Sequence, residues 1–462
     1  MRKILIVNPG SENKSGTLQI AKKLKLDIYV VLPAGEIDKC KWAKKYVKAS
    51  KIIEVDTESS DEYVAKVLIF QSKNKIKFDG VVTFVEESIL QASLVASSLD
   101  LPFIRPEAVM RGSYNKLAMR LRLKENKIEK LYFNWFRSFD ELKKIVKGIT
   151  YPVVIKPFNG NHSFGVVKID NPKDLLELRS KYNKACKEIK QKLSQRFYDN
   201  QLFLLEEFVE GKLISVDGYV QGGSVKPIGI IEYELSEPPF LLPIENYIPP
   251  MDDQIIKQSA KIKRKVVEII KALGFDNCLF HCEMKVGSKG AYVIEVGARC
   301  PGGPLSKGYE RAYGVDLVKA TYDIALGKKV VINEKKKKKY VAQKAVFPKR
   351  DIKVTEINTG QLLKYSFVKD YIQLSEAPLL TDKYGSFLPP LVYYCIEADS
   401  KIELKGFKEK IDKLKLYDYH IRTRDKIRPT KLGRFFFLLI DLIKFPMRVR
   451  IKFVLADKFS FF

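Results

Sequence analysis

The 462-residue sequence lacks the features that would mark a secreted, membrane-spanning or disulfide-stabilised protein. Its six cysteines show no disulfide-framework spacing. No apolar run reaches the roughly 18 residues of a bilayer span. The first apolar run is only about four residues long before Asn8, Pro9 and Gly10 interrupt it, whereas a secretory signal needs about 7–15. We therefore expect a soluble, cytoplasmic protein with reduced thiols.

Acidic residues are scarce relative to basic ones. The sequence has 55 Asp and Glu against 83 Lys and Arg, which gives a formal net charge of +28. Five consecutive lysines occupy 335–339, and the rest of the excess is spread thinly except at the C-terminal end. A mildly basic body without a recognition motif argues against a specific nucleic-acid partner. Because 46% of residues are apolar and 30% charged, the chain as a whole is expected to fold.

The last 37 residues, 426–462, form a basic tail rich in phenylalanine. They contain nine basic residues, two acidic ones and eight of the 27 Phe. Apolar and cationic residues in one segment suit peripheral contact with an anionic surface, which in the cell would be the inner face of the membrane. Packing on the body of the protein, or on a second subunit in a homodimer, explains the same composition equally well.

The pattern of apolar runs divides the rest of the chain into three units. Strand-like runs alternate with helical patterns in the first hundred residues, which predicts a parallel α/β domain over 1–112. No GxGxxG motif follows the first strand, so a dinucleotide site is not supported. From residue 151 hairpin-like runs dominate, which predicts an α+β domain over 113–333 built on antiparallel sheet. A small C-terminal α+β unit over 340–425 follows.

The individual predictions are strands at 3–7, 27–32, 52–55 and 80–84, and helices at 62–72, 88–99 and 253–273.

Two lysines stand in contexts that suit phosphate binding. Lys116 lies in the segment SYNKLAMR, and Lys156 ends the apolar strand YPVVIKP. A lysine inside an apolar strand needs a counter-charge, and a phosphate group is one candidate. The loop after Lys156 contains Gly160, Ser163 and Gly165, and such a loop can direct backbone N–H groups at phosphate oxygens. A simple hairpin turn explains the same loop.

Two acidic segments complete the set. In LLEEFVEG, residues 204–211, acidic residues close an apolar strand and are either solvated or adjacent to a nucleotide base. Further along, Glu283 and Glu295 lie on the two strands of a predicted hairpin, each between hydrophobic residues. Neighbouring carboxylates repel unless a cation lies between them, and oxygen ligands favour a hard ion such as Mg²⁺, with Mn²⁺ as an alternative. Arg299 follows and offers a fork-shaped donor to an anion.

A zinc site is the competing interpretation of the segment CLFHC. Cys278 and Cys282 fall on one face of the predicted strand and His281 on the other, which does not make a tetrahedral site without distortion. Together with Cys300, these residues are therefore interpreted as structural.

Four segments thus follow the parallel α/β domain: SYNKLAMR, YPVVIKP with its loop, LLEEFVEG, and the Glu283–Glu295 hairpin with Arg299. In this order they resemble the ATP-grasp superfamily, specifically its carboxylate–amine ligases such as D-alanine–D-alanine ligase and the L-amino-acid ligases. The resemblance implies a preATP-grasp-like α/β domain followed by two α+β subdomains that clamp ATP. It implies that Lys116 and Lys156 hold the α- and β-phosphates, and that the loop with Gly160, Ser163 and Gly165 closes over them. Further residues implied are Glu206, Val209 and Glu210 near the adenosine, Glu283 and Glu295 as metal ligands, and Arg299 beside the transferred phosphoryl group.

Two positions depart from the family pattern. The Asn expected two residues after the second metal-binding acid is Gly297, and the acid that often contacts the ribose is Leu213, for which Glu210 is the substitute. The function implied is amide formation from a small-molecule carboxylate and an amine through an acyl phosphate. The alternatives are attack by a different nucleophile, or a degraded nucleotide-binding protein held at an anionic surface.

Overall fold

The computed structural model describes most of the chain outside the tail. It covers residues 1–10, 14–32, 40–56, 59–158, 166–174, 203–236, 243–302, 304–332, 339–349, 352–381 and 390–421. The predictions for Gly160, Ser163, Gly165 and the tail 426–462 lie outside the described residues. Among the helices that are described, none is both long and apolar enough to cross a membrane.

The N-terminal part is a four-stranded parallel sheet flanked by helices, as predicted. The strands run in the order β3–β2–β1–β4, and every pairing between them is parallel. Four of the five β1 residues are fully buried, because helices cover both faces of the sheet. The bounds are β1 Lys3–Val7, α1 Ser15–Lys23, β2 Asp27–Leu32, β3 Ile52–Glu54, α2 Ser60–Lys73, β4 Gly80–Val82 and α3 Ile89–Ser98.

Helix α4 (Lys116–Glu125) leads from this domain into a small antiparallel sheet. Asn115 caps the helix, since its side-chain oxygen accepts a hydrogen bond from the backbone N–H of Ala118 at 3.0 Å. The small sheet has the order β5–β8–β6–β7, and helix α5 covers one face. Its elements are β5 Phe133–Phe136, α5 Phe139–Ile145, β6 Val153–Pro157, β7 Val167–Ile169 and β8 Phe203–Glu207.

An eight-stranded antiparallel sheet forms the largest part of the protein. Its order is β13–β12–β9–β10–β11–β14–β18–β16, so strands from the predicted C-terminal unit extend the sheet of the preceding domain. The strands are β9 Lys212–Gln221, β10 Ser224–Leu235, β11 Pro243–Ile248, β12 Cys278–Gly287, β13 Gly290–Gly297, β14 Tyr340–Val346, β16 Val368–Gln373 and β18 Val392–Ala398. A separate small sheet contains β15 Ile352–Ile357, β17 Leu379–Leu380 and β19 Tyr417–Ile421.

Three helices later in the chain pack against the eight-stranded sheet. Helix α6 (Asp253–Leu273) begins at the capping carboxylate of Asp252 and ends at Gly274, whose φ of 74° suits glycine. Helix α7 (Leu305–Tyr313) and helix α8 (Leu317–Ala325) follow β13. They share a hydrophobic core with the N-terminal sheet, so the loop after β13 lies where the two parts meet. The remaining helix, α9, spans Lys401–Asp412.

A buried charge cluster centred on Arg120 of α4 joins the four-stranded sheet that contains β8 to the eight-stranded sheet that contains β13. Arg120 is 2% exposed; its Nε donates to Glu206 Oε1 at 2.5 Å, and its Nη1 donates to Glu129 Oε2 at 3.1 Å. Its Nη2 donates to the backbone oxygen of Val293 on β13 at 2.7 Å. Burial raises the pKa of Glu206, but the charges of Arg120 and Lys156 outweigh burial and lower that pKa to about 2. Glu206 therefore stays ionised, and the cluster ties α4 and β8 to β13.

Replacing Arg120 by Met should lower the free energy of unfolding by about 3 kcal/mol, because two buried carboxylates lose their shared cation. This loss of stability lies at the lower end of the range for a broken buried ion pair, because Lys156 still contacts Glu206 and Lys265 still contacts Glu129. Urea unfolding followed by circular dichroism measures the change. Lys124→Met, on the exposed side of the same helix, is the control and should change stability by less than about 0.5 kcal/mol. Equal stability of both variants and the wild type would contradict the structural role of the cluster.

Candidate functional site

Two carboxylates face each other across the hairpin of β12 and β13. Glu283 and Glu295 lie on the two strands of one hairpin, as predicted. They are direct register partners, and the pairing shifts by one residue immediately after Glu283. Their side chains are 28% and 34% exposed, so both are partly accessible to solvent. Opposed like charges destabilise a sheet unless cations compensate for them.

Cationic groups approach this carboxylate pair from two sides. Lys116, at the start of α4, places its Nζ 3.0 Å from Glu295 Oε2. Burial raises the pKa of Glu295, but the charge and hydrogen bond of Lys116, together with the charges of Lys156 and His281, outweigh burial and lower that pKa. On the other side, His281 Nε2 lies 3.2 Å from Glu283 Oε1, and its Nδ1 lies 2.6 Å from Asp217 Oδ1. Burial lowers the pKa of His281, but the two carboxylates outweigh burial and raise it to about 10.

Lys156, at the end of β6, lies beside the same hairpin. Its Nζ is 2.7 Å from Glu206 Oε2 and donates to the backbone oxygen of Ile294, the neighbour of Glu295, at 3.4 Å. Burial lowers the pKa of Lys156, and the adjacent Glu206 carboxylate opposes that shift. The structure thus brings Lys116 and Lys156, which are 40 positions apart in sequence, to the carboxylate pair.

Arg299 lies in the loop after β13 and is held by the N-terminal domain. Its Nε pairs with Glu86 Oε2, and its Nη1 donates to the backbone oxygen of Cys300 at 3.0 Å. Ser113 Oγ donates to Glu86 Oε1 at 2.7 Å and accepts from the backbone N–H of Ala298 at 3.2 Å. Lys14 also reaches this junction, and burial together with the nearby Arg299 charge lowers its pKa to about 8.

The glycine at 297 has a structural explanation. A Cβ atom built on Gly297 would lie 2.9 Å from Glu86 Oε2, so the Glu86 carboxylate occupies the space that a side chain would need. The oxygen-bearing side chain expected from the family pattern is therefore absent from position 297, and an oxygen donor from the N-terminal domain lies beside it.

The predicted adenosine residues lie at the end of β8. The Glu206 carboxylate is engaged by Arg120 and Lys156, and its backbone pairs with both neighbouring strands. Val209 is half-buried and Glu210 exposed beyond the strand end, while Leu213 packs against the hydrophobic core. The Glu206 side chain thus has structural partners, and the roles of Glu206, Val209 and Glu210 near the adenosine stay predictions.

The donor set at the carboxylate pair suits a hard divalent cation. Within the described ranges, no three His, Cys, Asp or Glu side chains are grouped so as to hold a metal ion by themselves. Two carboxylates without a third protein ligand suit Mg²⁺ that completes its shell with phosphate oxygens and water. Cys278 and Cys282 lie in the hydrophobic core under α6, on the opposite face of β12 from His281.

Sequence reasoning missed five residues around the site: Glu86, Ser113, Arg120, Asp217 and His281 in its role beside Glu283. One positional signal was present. Glu86 follows β4, and ligand-binding residues in parallel α/β sheets gather at the carboxyl ends of strands. The contacts of Asp217 and Arg120 depend on strand pairing between distant segments, which no linear motif shows.

Comparison with known proteins agrees with the fold. Residues 149–307 match the family model of the ATP-grasp domain. The L-amino acid ligase from Bacillus licheniformis has a similar structure, with a TM-score of 0.73 at 20% identity over 92% of this chain and 99% of that chain. Phosphoribosylglycinamide synthetase from Anaerococcus prevotii gives a TM-score of 0.64 at 18% identity, covering 91% and 100% of the two chains. No curated protein sequence matches significantly.

A third structure contains a nucleotide. The biotin carboxylase domain of 2-oxoglutarate carboxylase from Hydrogenobacter thermophilus, in complex with MgADP and bicarbonate, gives a TM-score of 0.64 at 16% identity over 91% of this chain and 90% of that chain. The family match covers the segment that carries Lys156, Glu206, Glu283, Glu295 and Arg299. Residues 149–307 therefore match the ATP-grasp domain, and most of the chain shares its fold with these solved structures.

Proposed function

We propose that the protein is an ATP-dependent carboxylate–amine ligase that forms an amide bond through an acyl phosphate. The observation that carries the proposal is the Glu283–Glu295 pair, which is partly exposed and has Lys116 beside it. This arrangement suits a polyphosphate and its cation better than it suits a purely structural role, since both carboxylates remain partly exposed.

The proposed reaction begins with transfer of the γ-phosphoryl group of ATP to a substrate carboxylate. One carboxylate oxygen forms a bond to the γ-phosphorus. The bond between the γ-phosphorus and the β,γ-bridging oxygen breaks, which releases ADP. The amine then attacks the acyl carbon, the C–O bond to phosphate breaks, and the amine loses a proton. The second step needs the carboxylate oxygen to be a good leaving group, which the first step provides by phosphorylating it.

Named residues supply positioning and charge. In this proposal Lys116 and Lys156 bind phosphate oxygens, and Arg299 stabilises the phosphoryl group in transit. Glu283 and Glu295 hold Mg²⁺, which neutralises charge on the phosphates when it is bound. Lys116 contacts Glu295 directly, so ATP binding would exchange that ion pair for contacts to phosphate.

In this proposal the substrates bind where the loop after β13 meets the N-terminal domain. Arg299, Glu86 and Lys14 bring charges of both signs to the carboxyl edge of the N-terminal sheet. Arg299 Nη2 makes no hydrogen bond within the part of the chain that is described, so one arm of the guanidinium is available to an anion. Small-molecule carboxylate and amine substrates suit such a junction. Membrane contact through the tail and a homodimer both stay predictions.

A screen of carboxylic acids against amines tests the proposal. We expect ADP release only when both an acid and an amine are present, together with a product whose mass is their sum minus one water. Coupled ADP detection and mass spectrometry read the two quantities on the same sample. ADP release that needs no amine would contradict amide formation and favour another nucleophile. ATP binding with no turnover in any pair would favour a nucleotide-binding protein without catalysis.

Replacing either Lys116 or Lys156 by Ala should weaken ATP binding roughly ten- to a hundredfold, because a charge-assisted hydrogen bond contributes about 1.5–3 kcal/mol. The fold should persist in Lys156→Ala, since Arg120 still holds Glu206. Isothermal titration calorimetry gives the affinity. Lys289→Ala, at the exposed turn between β12 and β13, is the matched control and should bind ATP as the wild type does. Unchanged affinity in both the Lys116→Ala and the Lys156→Ala variant would place the nucleotide elsewhere.

A further inference from the structure

His281 makes two hydrogen-bonded contacts with carboxylates and is almost completely buried. It lies on β12 two residues before Glu283, so both side chains share one face of the strand. His281 is 6% exposed, with Nδ1 2.6 Å from Asp217 Oδ1 and Nε2 3.2 Å from Glu283 Oε1. Because both ring nitrogens are engaged, the imidazole is not available to a substrate as a general base.

Asp217 is itself fixed by two further side chains. It lies on β9 and is completely buried. Its Oδ2 accepts hydrogen bonds from Tyr309 Oη on α7 at 2.7 Å and from Ser215 Oγ at 3.0 Å. The Ser215 hydroxyl in turn lies 3.1 Å from Tyr233 Oη on β10. Three strands and one helix therefore hold the carboxylate that orients the imidazole.

The contact with His281 restricts the Glu283 carboxylate. Its Oε1 is held by His281, while Oε2 accepts no hydrogen bond from any residue that the structure describes. Across the hairpin, Lys116 contacts Glu295 through Oε2. Each member of the pair thus has one oxygen held by a protein group, which limits rotation of both carboxylates about their last side-chain bond.

We propose that His281, oriented by Asp217, is a positioning residue that holds Glu283 so that its Oε2 binds the divalent cation. The inference rests on the proposed function, because it assumes the cation site of the ATP-grasp domain. Residues that orient metal ligands typically contribute about ten- to a hundredfold to metal affinity. His281 acts on the cation through Glu283 and does not contact the nucleotide.

The test measures Mn²⁺ binding to the complex of protein and ADP by electron paramagnetic resonance. His281→Asn leaves an amide that reaches Asp217 but is too short to reach Glu283, and should raise the Kd of Mn²⁺ about ten- to a hundredfold. His281→Gln has the longer amide that can reach Glu283, and should restore part of the affinity. The affinity for ADP without metal, measured by calorimetry, should stay within about twofold of wild type in both variants. A general loss of structure would instead weaken metal-free ADP binding as well.

Two further variants keep the test decisive. Tyr309→Phe removes one hydrogen bond to Asp217 without changing the size of the side chain, and should also weaken Mn²⁺ binding, by less than His281→Asn. Glu283→Gln is the reference that removes the ligand itself. Wild-type Mn²⁺ affinity in both His281→Asn and Tyr309→Phe, with a loss in Glu283→Gln, would overturn the positioning role and leave the proposed function intact. Wild-type affinity in Glu283→Gln would overturn both.

Discussion

The opposition of Glu283 and Glu295 across one hairpin is the constraint on which the rest of the site depends. Strand pairing fixes the backbone of both residues, so the two negative charges cannot separate by a change of register. Their repulsion has to be met by positive groups nearby. Lys116 and His281 meet it from opposite sides, and Lys156 lies against the backbone of the same hairpin.

The same positive groups are tied to distant parts of the chain. Lys116 starts a helix whose Arg120 enters the buried cluster with Glu206, and Lys156 shares Glu206 with it. The small sheet, the large sheet and α4 are therefore joined through charges that surround the carboxylate pair. On the other side, Glu86 connects the N-terminal domain to Arg299. A change at any of these connections would alter the electrostatics of the carboxylate pair.

The sequence predicted the local elements and the order of the motifs well. The strands at 3–7 and 27–32 and the helix at 253–273 agree with the structure because their apolar periodicity and end signals are local. Pairing of Glu283 with Glu295 was also predictable, since a short turn joins their strands. The links from Asp217 to His281 and from Glu86 to Arg299 were not, because they join residues 64 and 213 positions apart. Gly297 departs from the family pattern, and the Glu86 carboxylate occupies the space where a side chain would lie.

A crystal structure with MgADP tests the central claim most directly. If Glu283 and Glu295 hold the cation, we expect it about 2.0–2.1 Å from one oxygen of Glu283 and one of Glu295. We also expect Lys116 Nζ to leave its position 3.0 Å from Glu295 Oε2 and to contact a phosphate oxygen instead. A cation bound away from the hairpin, or a Lys116–Glu295 ion pair that persists beside the bound nucleotide, would contradict the account.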